Sequence, residues 1–224
     1  MEHALHPELK IDRPPQTLRE IVLARMRAAI IAGRFPSGAR LVERTLCDQL
    51  GVSRSVVREV IRILEAEGLV ESLPNRGPVV ARLDWAQARQ IYDIRLLLEG
   101  SAAAACAGVA DAGVKAELAA ALAAIRAAQG ATDAVFEATT RFYEIIFTAA
   151  GHAIAWEIVQ RLNGRISRLR ALTLAATDRP VAGPDRMARI AAAIAAGDPA
   201  AARQAVEDHL TEAAAIARRM LEAT

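Results

Sequence analysis

The sequence predicts a mainly α-helical fold in two parts: an N-terminal winged helix-turn-helix of three helices plus a β-hairpin wing, followed by an all-α six-helix antiparallel bundle. Three observations carry this expectation. Apolar residues recur at spacings of three and four through most of the chain, with glycines where the runs stop. Two short β-prone runs flank Pro74-Asn75-Arg76-Gly77. Nothing after Asp84 reads as a strand. The composition agrees: of 224 residues 53% are apolar and 24% charged, while only 4% are aromatic and nearly a quarter are alanine. That is too apolar for a disordered chain and suits a helical protein with a packed core.

Residues 1–16 are polar, contain Pro7, Pro14 and Pro15, and are expected to form a flexible arm. A first helix is predicted over 18–32, where Leu18, Ile21, Val22, Met26, Ala29 and Ile30 share a face and Gly33 closes it. After a turn at 35–38, a short helix over 42–50 stops at Gly51, and Ser53 caps a third over 54–67 that stops at Gly68. Two helices joined by a tight glycine-containing turn are a helix-turn-helix candidate. The runs 69–73 and 78–83 then make a hairpin with Arg76 at its tip, completing a domain over 17–83. A second domain over 84–224 is expected to hold helices at 85–109, 113–129, 133–150, 152–176, 184–196 and 198–222. Gly113, Gly130, Gly151, the segment 180–184 and Gly197-Asp198-Pro199 separate them.

Several classes are excluded early. The alanine-rich stretch 102–125 is broken by Gly108, Asp111, Lys115 and Glu117, so no apolar run approaches the ~20 residues of a membrane span. The N-terminus, with His3, His6, Glu8, Lys10 and Asp12, lacks the apolar core of a signal peptide. A cytoplasmic chain is expected, with Cys47 and Cys106 as small buried thiols. No Ser/His/Asp order, His-Glu-x-x-His, phosphate-binding glycine loop or pair of catalytic carboxylates stands out, which argues against an enzyme.

The net charge of +2 is unevenly spread. Residues 1–83 hold 13 Lys+Arg against 10 Asp+Glu, a net of +3, and residues 84–224 hold 15 against 16, a net of −1. The excess is small, so position matters more than number. A helix that reads double-stranded DNA needs polar groups at its N-terminus to reach base edges and an apolar face to hold it to its domain. Ser53, Arg54, Ser55 and Arg58 supply the first; Val57, Ile61 and Leu64 supply the second. Arg54 and Arg58 share a face, where either can donate two hydrogen bonds to guanine or clamp a phosphate. Arg44 is placed for backbone contact, and Arg76 with Gly77 for the minor groove.

Leu41-Val42-Glu43-Arg44, Leu50-Gly51-Val52-Ser53-Arg54-Ser55-Val56-Val57-Arg58-Glu59, Leu64-Glu65-Ala66-Glu67-Gly68-Leu69-Val70 and Arg76-Gly77-Pro78-Val79-Val80 resemble the N-terminal domain of GntR-family bacterial transcription regulators. The resemblance implies operator contacts at Arg44, Arg54, Ser55, Arg58 and the Gly77 wing tip. Ser55-Val56 stands where threonine-proline is common, which should tune sequence preference. Residues 85–222 resemble the FCD effector domain of the FadR subgroup through Arg95-Leu96-Leu97-Leu98-Glu99, the Phe142 and Gly151 region, Ile190, Ala193-Ile194, Gly197-Asp198 and Asp208-His209-Leu210. Six helices rather than seven favour its VanR-like branch.

Many such domains hold a divalent metal through an aspartate, a histidine four residues later and two further histidines. The corresponding positions here are Thr139, Tyr143, Met187 and His209, so only His209 is retained and no metal cofactor is expected. Thr139 and Tyr143 keep the shared face, alongside Phe136 and Ile146. Arg95, four after Ile91, lies on the inward stripe of the first bundle helix, where either Glu99 or a ligand carboxylate must neutralise it. Arg95, Thr139, Tyr143, Met187 and His209 are therefore the candidate effector residues. The family implies a homodimer, most often a repressor, released from an inverted-repeat operator by a small molecule such as an organic acid. The alternatives are a constitutive DNA-binding protein whose bundle only dimerises and, with less support from the motifs, a helical metalloenzyme.

Overall fold

The computed structural model describes residues 17–128, 132–174 and 183–223. The expected arm, with His3 and His6, and the breaks expected at Gly130 and 180–182 lie outside the described residues. The head begins with α1 (Leu18–Ile31), opened by a capping box: Thr17 Oγ1 accepts from the Glu20 amide and Glu20 Oε2 from the Thr17 amide. Then come α2 (Glu43–Leu50) and α3 (Arg54–Ala66). Val57, Val60, Ile61 and Leu64 of α3 pack on Val22, Met26 and Ile30 of α1 in one hydrophobic core. A bidentate pair from Arg27 Nε and Nη2 to Glu67, at 2.9 and 2.5 Å, ties α1 to the end of α3.

The wing is β1 (Val70–Leu73) paired antiparallel with β2 (Gly77–Val80), in register Val70 to Val80 and Leu73 to Gly77. The turn between them needs left-handed backbone at Asn75 (φ 61) and Gly77 (φ 75), which asparagine and glycine adopt at low cost. One element was not expected. Arg40 bridges Val79, with the Leu41 amide donating to Pro78 O and the Val80 amide to Ala39 O, so the segment before α2 extends the wing on its far edge.

Asp84 caps α4 (Trp85–Val109) by accepting from the Gln87 amide at 2.8 Å. The bundle continues with α5 (Ala112–Ala127), α6 (Thr132–Ala149), α7 (Ala153–Arg161), α8 (Asn163–Leu174), α9 (Gly183–Ala195) and α10 (Pro199–Glu222). The long pairing of α4 with α10, flanked by α6 and α9, encloses a second core that includes Phe142, Ile146, Phe147, Ile166, Leu169 and Ile190. The single helix expected over 152–176 is instead two. The Leu162 amide bonds Val159 O in a tighter turn, and the chain restarts as α8. Among the described residues the six expected bundle helices are thus seven helical segments, and a helix count does not decide for the VanR-like branch.

Helix α8 joins the two cores. Gly164 lies so close to the head that a Cβ there would meet Glu67 O at 2.7 Å and Leu69 Cγ at 2.8 Å. Arg168 donates through Nη1 to Ala81 O (2.6 Å) and through Nη2 to Ser37 Oγ (2.8 Å). Ala171 packs on the head core, as does Phe136 of α6. Phe136 therefore faces the head rather than lining the bundle beside Thr139 and Tyr143. Ile166 and Leu169, on the opposite side of α8, are fully buried in the bundle core. Gly164→Ala should lower the unfolding free energy by about 1–3 kcal/mol, because backbone must move to admit the methyl. Urea unfolding checks this, and an unchanged midpoint contradicts the close seating.

Candidate functional site

Two groups of side chains stand out, one on the head surface and one inside the bundle. On the head, Ser53 caps α3, its Oγ accepting from the Val56 amide at 3.5 Å and lying 2.8 Å from Ser55 Oγ. Arg54, Ser55 and Arg58 are exposed on the face opposite Val57, Val60 and Leu64. Arg62, one turn beyond Arg58, is exposed too and extends the stripe, which the spacing of four already contained. Arg44 is exposed on α2, and Arg76 at the wing tip. Arg58 is not idle: its Nε lies 3.0 and 2.9 Å from the two Glu43 carboxylate oxygens. The Arg58 side chain is 60% exposed, so that pair is worth at most about 1 kcal/mol and is easily exchanged for a phosphate or a base. Gly77 contributes backbone shape; open space surrounds its missing Cβ.

Inside the bundle, Arg95 is 2% exposed and Glu99 fully buried. Arg95 Nε and Nη2 meet the two Glu99 oxygens at 2.7 and 3.2 Å, one turn apart on α4. Burial works against the arginine's charge, but the Glu99 carboxylate outweighs it and holds the guanidinium pKa above its usual value. Of the two neutralisers left open by the sequence, Glu99 is in place. Tyr143 is buried, and burial first, then the Glu99 charge, push its pKa well above the ordinary phenol value. Its hydroxyl faces Glu99 without completing a hydrogen bond of standard geometry.

A further member went unread in the sequence. Arg170 of α8 sits with its guanidinium carbon 6.0 Å from the centre of the Tyr143 ring, as Arg95 does at 5.7 Å from Tyr92. Arg170 Nη1 is buried and has no hydrogen-bond partner. Burial and the Arg95 charge bring its pKa down to about 10, which leaves it charged at neutral pH. Arg170 follows Ile166 by four just as Arg95 follows Ile91, so the same spacing argument reaches it.

The other expected residues sit differently. Thr139 is buried, but its hydroxyl donates back to Val135 O at 2.6 Å on its own helix. Met187 is buried in the bundle core on α9, and His209 is half-buried on α10. A second ion pair, buried Arg186 with half-buried Glu212, joins α9 to α10. Among the described residues no three His, Cys, Asp or Glu side chains come together as a metal site would need.

A winged helix-turn-helix seated on a helical bundle defines a DNA-binding regulator class rather than an enzyme. The chain belongs to that class in a specific way: residues 18–80 match the gntR family of bacterial regulatory proteins and residues 90–212 the FCD domain, so it is a GntR-family transcription regulator with an FCD domain. An uncharacterised HTH-type regulator of Streptomyces ambofaciens is 30% identical over 199 residues, 87% of this chain and 83% of that protein. One from Agrobacterium vitis is 38% identical over 52% of this chain, which spans 64% of that relative's length. The Escherichia coli transcriptional repressor RspR is 26% identical over 89% of this chain and 88% of its own. A putative GntR regulator from Rhodococcus sp. RHA1 has the same fold, with TM-score 0.71 and 27% identity over 92% of this chain and 98% of that one. No described helix is long and apolar enough to cross a membrane.

Removing Glu99 strands Arg95. Glu99→Gln should cost about 3–5 kcal/mol of stability, and the double variant Arg95→Met with Glu99→Leu should recover most of it. Chemical denaturation of the three proteins tests this; a double variant as unstable as the single one would show that packing, not charge, is at stake.

Proposed function

We propose that the protein is a cytoplasmic homodimeric repressor whose two heads read the half-sites of an inverted-repeat operator, and that a small molecule bound in the helical bundle, without a metal ion, weakens that grip. One recognition helix reads only a few base pairs, and two-fold symmetry supplies the rest. The observation that carries the reading is the exposed arginine stripe of α3, fixed to a rigid apolar core on its other side. The likeness to the repressor RspR supports repression as the outcome. The effector residues in this reading are Arg95, Thr139, Tyr143, Met187 and His209. A ligand acts only through its different affinity for the two arrangements of the heads.

Dimerisation draws support from apolar side chains left in solvent. Leu97 of α4 and Ile154 of α7 are 70% and 71% exposed on helices that pack together, with Ile158 also exposed on α7. Replacing Leu97 and Ile154 together by arginine should give a monomer in sedimentation velocity and weaken operator binding; an unchanged dimer mass removes this face from the interface. The operator itself comes from selection among random duplexes by the full chain. On that operator Arg54→Ala should lose about 1–3 kcal/mol, or 5- to 150-fold in affinity, measured by fluorescence anisotropy. Equal binding by variant and wild type removes Arg54 from the reading surface.

A further inference from the structure

The arginines of the reading face are not equivalent. Among the described residues Arg44 on α2, Arg54 and Arg62 on α3 and Arg76 on the wing make no ion pair, whereas Arg58 carries a counter-ion. That counter-ion, Glu43, is the first residue of α2, where a carboxylate already gains from the field at a helix N-terminus. Both its oxygens nonetheless meet Arg58 Nε, at 3.0 and 2.9 Å, across fifteen residues of chain. Only one nitrogen of the guanidinium is spent in this way. Among the described residues nothing holds Arg58 Nη1 or Nη2. Those two nitrogens form the edge that can donate a pair of hydrogen bonds to O6 and N7 of a guanine.

We propose that Glu43 is a positioning residue for DNA readout: it holds Arg58 by Nε so that the free Nη edge meets a guanine, and thereby sets the sequence preference of the head. This rests on the reading of Arg58 as a DNA contact and names the residue that makes the contact selective. An arginine side chain gives up much rotamer freedom when it is fixed, and one already held gives up less on binding. Though weak enough to be exchanged, the pair need not break at guanine, because pair and base contact use different nitrogens. At a phosphate the two compete. The guanidinium must swing to the rim of the groove and leave Glu43, whose own charge repels the phosphate oxygens. With side chains 60% and 32% exposed, the pair is worth at most about fivefold in that choice. That favours guanine over phosphate without locking Arg58 in place.

The test measures, by fluorescence anisotropy, the affinity of the full chain for its selected operator duplex and for single-base-pair variants of it. Wild type is compared with Arg58→Ala, Glu43→Met and Glu43→Gln. Arg58→Ala marks the base pair that Arg58 reads, as the one whose replacement no longer matters; wild type should discriminate there by about 5- to 150-fold. Glu43→Met keeps the length of the side chain without an acceptor, and should cut discrimination at that pair, and at no other, by about two- to fivefold. Glu43→Gln keeps a neutral acceptor and should fall between Glu43→Met and wild type. In an Arg58→Ala background Glu43→Met should leave every ratio unchanged. A fold defect, or the mere loss of a negative charge, moves all duplexes together and cancels in these ratios. Unchanged discrimination in Glu43→Met, an equal loss at every base pair, or the same loss without Arg58 overturns the proposal. If Arg58→Ala loses its base preference while Glu43→Met keeps it, this inference alone fails. An Arg58→Ala protein that discriminates like wild type removes Arg58 from the reading surface, and the inference with it.

Discussion

Helix α8 has to satisfy two cores at once, and that constraint organises the molecule. Gly164, Arg168 and Ala171 face the head, while Ile166 and Leu169 face the bundle. A 12-residue helix has room for both only if its head side stays small or polar where backbone approaches. Gly164 supplies the small position, and Arg168, half-buried with its charge disfavoured by burial, supplies the polar one by filling two backbone and side-chain acceptors. Phe136 of α6 closes the same seam from beside it.

The alanine-rich bundle makes the rest possible. Small side chains let α4 and α10 run closely paired, so the few large or charged groups between helices are conspicuous. Arg95 and Glu99 cancel inside that setting. The head works the opposite way. Its arginines are exposed, and the pair made by Arg58 with Glu43 is weak enough to yield to DNA.

Much of this was legible beforehand because helical periodicity and punctuation are local properties. Gly33, Gly51 and Gly68 end runs whose apolar faces already identify the head core, and Ser53 caps α3 as its position before Arg54 suggests. The break at Leu162 was missed although Asn163-Gly164, a turn-favouring pair, follows it directly: helical spacing runs on through it, and the turn is set by packing of α7 and α8 on different partners. The strand-like pairing at Arg40 escaped because it rests on tertiary contact with Val79 and has almost no length of its own. Arg170 was legible in principle through its spacing from Ile166, yet it sits among Arg165 and Arg168 and reads as one more surface cation until α8 is seen to have two buried sides. The metal positions were read from resemblance, and Thr139 illustrates the limit of that route: its hydroxyl is spent on its own helix.

In the proposed mechanism head and bundle communicate through α8. Because coupling is reciprocal, operator binding must be felt inside the bundle as surely as a ligand is felt by the head. Amide hydrogen exchange of the full chain, free and saturated with its selected operator duplex, reads this directly. Altered protection is expected in residues 163–174 and around Arg95 on α4 as well as in the head. Changes confined to residues 17–83, with α8 and α4 exchanging at the same rates in both states, would contradict it.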